Sequence, residues 1–325
     1  MESKTVDLIK YVLSILVVCL HCIGPDADFL AFCVPVFFLI SGYYFFYQSK
    51  KTVIDISYFL NKWRKRTHSL LILFILWILL YYGYMYCFEH LKLTSIMEGK
   101  VWISIFWNAN PDGGIPLLGP FWYIRDLIKC CILSPLLYVL LKNRIIGLIY
   151  VFVVFTAYFI NFQTILPVSN MVLFFFSIGC YFGLHAISQV DIKKSYLLCS
   201  FLLFTLTLLL AYVFSSEYHD LFKRIYIISS FLFIYSASYL LNKAIKLPEF
   251  LFDSNCSFFI YAIHMFFYTF VFYITTDCMK LAHGSRTLAT PSVIILSIAT
   301  YYLLLRIAPK FLSVLLGGRL IRKAQ

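Results

Sequence analysis

Apolar residues in this chain neither alternate nor form narrow stripes. They run on for about twenty positions at a time, the length a helix needs to cross a bilayer core. The runs are bounded by charges, Pro or Asn. They fall near 6–23, 29–47, 68–88, 121–141, 145–162, 168–187, 196–214, 225–241, 256–275 and 290–308. The pattern predicts an all-α, polytopic transmembrane bundle of about ten spans, forming one domain over 1–325. The longest interruptions are 48–67 and 89–119. With so little sequence outside the spans, a site must be built inside the bundle or on its loops, chiefly 89–119.

Composition agrees. The 325 residues are 62% hydrophobic and 13% charged, against about 45–50% and about 25% in soluble domains. Soluble, disordered, collagen-like and disulfide-stapled classes are excluded. The start, MESKTVDLIK, is read as the beginning of a retained first helix, because no small-residue cleavage site follows the first apolar run.

The net charge of +12 raises nucleic acid as a partner, but the bilayer explains it first. With the N-terminus in the cytoplasm, 19 of the 27 Lys and Arg fall on the inner side. Positive residues concentrate on cytoplasmic loops, so both termini are expected inside, in a multi-pass protein of the inner membrane. Nucleic acid is not needed.

Ionisable groups within spans are costly and mark functional sites by default. Lys10 and His21 lie eleven residues apart on the first segment, about 16 Å along a helix and close to three turns, so they share a face. Each also has a bland reading, with Lys10 snorkelling to the inner headgroups and His21 at the outer interface. Cys19 and Cys22 flank His21, but no second ligand pair follows at metal-binding spacing, and no metal is expected. Ser41-Gly42 on the second segment reads as a close helix contact. The run Lys62-Trp63-Arg64-Lys65-Arg66-Thr67-His68 either anchors a span to anionic lipid or binds a polyphosphate through its Arg forks. Phe121-Trp122-Tyr123-Ile124-Arg125-Asp126 combines an interfacial aromatic belt with adjacent Arg125 and Asp126, which point to different sides of a helix and cannot both face lipid comfortably. Ser257, Tyr261 and His264 form one stripe on the ninth segment, with His264 near mid-membrane. His264 could equally be a buried neutral imidazole bonded to a neighbour.

Five pieces in order carry a resemblance: VDLIKYVLSILVVCLH, VPVFFLISGYYFF, NKWRKRTHSLLILFILW, GPFWYIRDLI and NCSFFIYAIHMFF. Dispersed over about 1–270, they resemble acyltransferase family 3, the integral-membrane O-acyltransferases. The resemblance implies about ten core helices, a cytoplasmic acyl-CoA donor and an acceptor sugar, often part of an extracytoplasmic polysaccharide or a lipid-linked glycan. It also implies an essential histidine on the first helix, here His21, preceded by an arginine with ten residues between them. That position is Lys10, which keeps the charge and loses the bidentate fork. The family's basic residues before the third helix correspond to Arg64 or Arg66.

A sugar hydroxyl is a poor nucleophile at neutral pH, and a neutral imidazole can take its proton as it attacks a thioester. His21 is therefore expected to act as general base. Lys10, Arg64 and Arg66 would face the phosphates of acetyl-CoA. Tyr123 and Arg125 would position the acceptor, and Ser257, Tyr261 and His264 would line the substrate site. A pantetheine arm of about 15–20 Å could span most of the helix rise between Lys10 and His21. Direct transfer and an acyl-His intermediate both fit. The rival reading is a polysaccharide or lipid-linked sugar exporter without chemistry, and a weaker one is a structural membrane subunit. The exporter reading does not predict a cytoplasmic phosphate-binding cluster.

Overall fold

The computed structural model describes residues 3–47, 56–88, 106, 119–162, 168–185, 192–214, 219–275 and 285–318. Among these residues the regular structure is helical throughout, without a strand. The helices are α1 (Ser3–Ile23), α2 (Cys33–Tyr47), α3 (Ile56–Phe88), α4 (Trp122–Leu141), α5 (Arg144–Phe159), α6 (Asn170–His185), α7 (Lys194–Val213), α8 (His219–Ala244), α9 (Ser254–Tyr273), α10 (Ser285–Ile307) and the short α11 (Pro309–Leu315). Most of the 89–119 loop, to which specificity was assigned, lies outside the described residues.

Every predicted segment is helical, but length separates them. Among the described residues six helices are long and apolar enough to cross a membrane: α1, α3, α7, α8, α9 and α10. The apolar helices α2, α5 and α6 have 15, 16 and 16 residues. At 1.5 Å per residue they reach only about 23–24 Å. α4 has 20 residues, but Arg125, Asp126 and Lys129 interrupt its apolar character.

Several boundaries differ from the expectation, and two of the differences have a clear local cause. α3 begins at Ile56 rather than near 68, so the basic run lies on the helix and not before it. Lys and Arg are good helix formers, and the charges that end an apolar run do not end a helix. α2 begins at Cys33 rather than near 29, because Gly24–Leu30 forms a 3-10 turn that starts at Gly24 with φ +80.

α1 lies at the centre, packed on α2, α8, α9 and α10. It runs parallel to α9. Tyr11 reaches Phe250 just before that helix, and His21 meets His264 along it. The closest pair is α2 with α6. A Cβ on Gly42 would collide with the Phe176 carbonyl, one on Gly179 with the Leu39 carbonyl, and one on Gly183 with the Tyr43 carbonyl. The close approach expected at Gly42 is therefore present, and small residues on both helices create it.

Trp77, Phe121 and Phe259 form a fully enclosed aromatic core between α3, α4 and α9. On α7, Leu198, Leu202, Leu206 and Leu209 are exposed at helical spacing. Such an apolar stripe fits acyl chains better than water. Beyond α10, α11 folds back on α3. Trp77 Nε1 donates to the Leu315 carbonyl at 2.9 Å, and Ser69 Oγ donates to the Gly317 carbonyl at 3.4 Å. Gly317 and Gly318 close this turn with φ of +73 and +75, a conformation that L side chains rarely adopt.

Candidate active site

A cavity of about 730 Å³ opens between α1, α2, α3, α4, α9 and the C-terminal glycine turn. Among the described residues three cations line it, Lys10, Lys65 and Arg66, and no carboxylate does. Asp7 stands beside Lys10 at 3.2 Å without lining the cavity, and the Lys10 ammonium also lies 5.6 Å from the Tyr44 ring centroid. Arg66 is partly buried. Its guanidinium covers the Phe45 ring at 5.3 Å, and Nη2 donates to the Tyr44 carbonyl at 3.5 Å. Its fork is thus held by packing on one side and presented to the cavity on the other. Arg64, two positions earlier, is exposed and does not line the cavity. Lys10 faces this space and is not simply spread toward headgroups.

Deeper in, polar side chains converge from three helices. Ser41 and Tyr123 share a hydrogen bond of 2.9 Å. Tyr123 meets Tyr261 edge to face at 5.9 Å. The Tyr261 hydroxyl donates to the Pro120 carbonyl, and its ring stacks on Phe121. Ser257 also lines the cavity, with Oγ donating to the Asp253 carbonyl at 3.1 Å. The Asp253 carboxylate caps α9 through the Asn255 and Cys256 amides and accepts the Tyr301 hydroxyl at 2.7 Å. That capping fixes the register of the helix carrying Ser257, Tyr261 and His264.

The two in-span histidines come together. Their rings stack with centroids 5.3 Å apart and planes 30° apart. His21 is half-buried and His264 fully buried. His264 Nδ1 lies 2.7 Å from the Tyr261 carbonyl. A carbonyl oxygen only accepts, so Nδ1 carries the hydrogen and Nε2 keeps its lone pair. Neither imidazole lines the cavity. Tyr261 stands between, with its side chain in the cavity wall and its ring 6.2 Å from that of His264.

Arg125 points elsewhere. Its Nε donates to Asp126 Oδ1 at 2.9 Å, and Lys129 Nζ sits 3.0 Å from the same oxygen. All three side chains are buried, with 9% exposure or less. Pairing is what makes such charges tolerable in a bundle interior. The structure thus brings Lys10, Arg66, Tyr123, Ser257 and Tyr261 to one cavity, joins His21 to His264 beyond Tyr261, and leaves Arg64 and Arg125 outside both. Sequence reasoning included Lys65 in the basic run without singling it out, and it missed the glycine turn in the cavity wall and Lys129 in the buried cluster with Asp126. Asp126 and Lys129 at i, i+3 were a readable pair, and Gly179 with Gly183 is a readable small-xxx-small pattern on α6. The described residues around Cys19, His21 and Cys22 form no cluster able to hold a metal ion.

The acyltransferase family 3 model, described as an acyltransferase domain, matches residues 4–306. No curated protein and no solved structure matches the chain.

Proposed function

This chain belongs to acyltransferase family 3, and from that premise we propose that it moves an acyl group, acetyl in the first instance, from cytoplasmic acyl-CoA to a hydroxyl of a cell-surface or lipid-linked glycan. The observation that carries the reading is the cavity with three cations and no carboxylate. Such a lining favours a polyanion, and CoA carries its charge on a pyrophosphate and a 3′-phosphate. Arg66 offers these oxygens a fork, while Lys65 and Lys10 act as point charges. The pantetheine arm then runs past Ser41, Tyr123 and Ser257 toward the histidine pair.

His21 is the general base of this scheme. It takes the hydroxyl proton as the oxygen forms a bond to the thioester carbonyl carbon. The tetrahedral intermediate collapses with cleavage of the carbon–sulfur bond, and the departing thiolate takes up the proton. A hydroxyl nearby, that of Tyr123 in the cavity wall, suits the charge that develops on the carbonyl oxygen. An acyl-His21 intermediate reaches the same products in two steps. In this scheme the chain crosses the membrane about ten times with both termini inside, the cationic cavity faces the cytoplasm and His21 lies toward the outer face.

The test is His21→Ala in cells lacking the wild-type copy. Surface-glycan O-acylation, read by mass spectrometry, is expected to vanish while the protein stays inserted. Retained acylation overturns the role of His21. Turnover of acetyl-CoA by purified protein in detergent separates this reading from an exporter, which has no use for a thioester.

A further inference from the structure

His264 is built for more than packing. It is 0% exposed, its Nδ1–H is committed to the Tyr261 carbonyl, and its Nε2 has no hydrogen-bond partner among the described residues. A buried acceptor left unpaired forfeits its hydration with nothing in return. An imidazole kept only for stability would be paired at both nitrogens or replaced by a phenyl ring of similar shape. The tautomer is also fixed. With Nδ1 donating to a helix carbonyl, Nε2 offers a lone pair and requires a donor. The group beside it is the stacked imidazole of His21, 5.3 Å away between centroids. The other ring facing it is Tyr261, whose hydroxyl is already given to Pro120.

We propose that His264 Nε2 accepts a hydrogen bond from a second hydroxyl of the acceptor, adjacent to the one that His21 deprotonates. The site thus selects polyol acceptors bearing neighbouring hydroxyl groups, and His264 decides which of them reacts. This inference rests on the acyl-transfer reading above. No bond is made or broken at His264; its lone pair anchors the neighbour while the proton passes to His21.

The test compares wild type, His264→Phe and His264→Gln in cells lacking the native copy. Glycan acylation is read with positional resolution, and each purified protein is scanned for its unfolding temperature and its acetyl-CoA kinetics. His264→Phe keeps the ring volume and removes the unpaired acceptor. Its unfolding temperature is expected to hold or rise, its kcat to fall about tenfold to a hundredfold, the size of one hydrogen bond to substrate, and its KM for acetyl-CoA to change less than twofold. Residual acylation is expected to spread over more than one hydroxyl. His264→Gln, whose amide can donate to Tyr261 and accept from substrate, is expected to recover part of the rate and the single position. Wild-type kcat and regiochemistry in His264→Phe would overturn the inference. So would a loss of activity that parallels a loss of thermal stability. If wild-type protein leaves the glycan unacylated, the acyl-transfer reading itself falls, and this inference with it.

Discussion

Two arginines separated by one residue show what a sequence leaves undecided. Arg64 and Arg66 are both basic and both compatible with phosphate. On a helix they point about 200° apart, and only the packing of α3 against α2 tells which one faces inward. Arg66 lies over Phe45 and lines the cavity, whereas Arg64 is exposed. The two therefore make a matched test. Arg66→Ala is expected to raise the KM for acetyl-CoA about tenfold to a hundredfold, as the loss of a charge-assisted hydrogen-bonding group does. Arg64→Ala is expected to change it less than twofold. Steady-state kinetics in detergent read both. Lys10, Tyr123, Ser257 and Tyr261 were legible as polar groups that lipid would reject. The direction of Arg125 was not, because its partners Asp126 and Lys129 matter only once all three fold inside.

At the scale of elements, the apolar runs located the helices because hydrophobic length is a strong signal in a bilayer. Their ends were harder to read. The Lys62–His68 run breaks hydropathy yet continues α3, so the boundary of a span and the end of a helix are separate events. Glycines carry the tightest contact. Gly179→Leu drives a side chain into the Leu39 backbone and is expected to separate α2 from α6, with little monodisperse protein recovered after extraction. Gly83→Ala is the control. Nothing lies within 4 Å of a Cβ there, and alanine favours the helix by about 0.5–1 kcal/mol. Fluorescence-detected size-exclusion chromatography of tagged variants distinguishes these outcomes. Gly42 was legible as a contact residue, but its partner helix was not. Nothing local in VPVFFLISGYYFF names residues 176–183.

For the whole molecule, the charge distribution could be read as a topology expectation, whereas the cavity could not be read at all. The bias of Lys and Arg sets a concrete expectation: reporters fused at the N-terminus and at the C-terminus should both be active only in the cytoplasm. An external signal from either end would overturn the arrangement that puts Arg66 on the donor side. The cavity has no sequence signature of its own, since its wall is assembled from residues between Lys10 and Gly318. Part of that wall, Gly317 and Gly318, lies past residue 306, where the family match ends.

Tyr261 has a consequence for the resting protein. Its phenol is tied to the Pro120 carbonyl while its own carbonyl holds His264. On the acyl-transfer reading proposed above, a thioester parked among the cations would meet neither imidazole until that phenol swung aside. Idle molecules would keep their cargo from wasteful hydrolysis, and the same swing that admits the acyl tip would tug on the histidine awaiting the sugar.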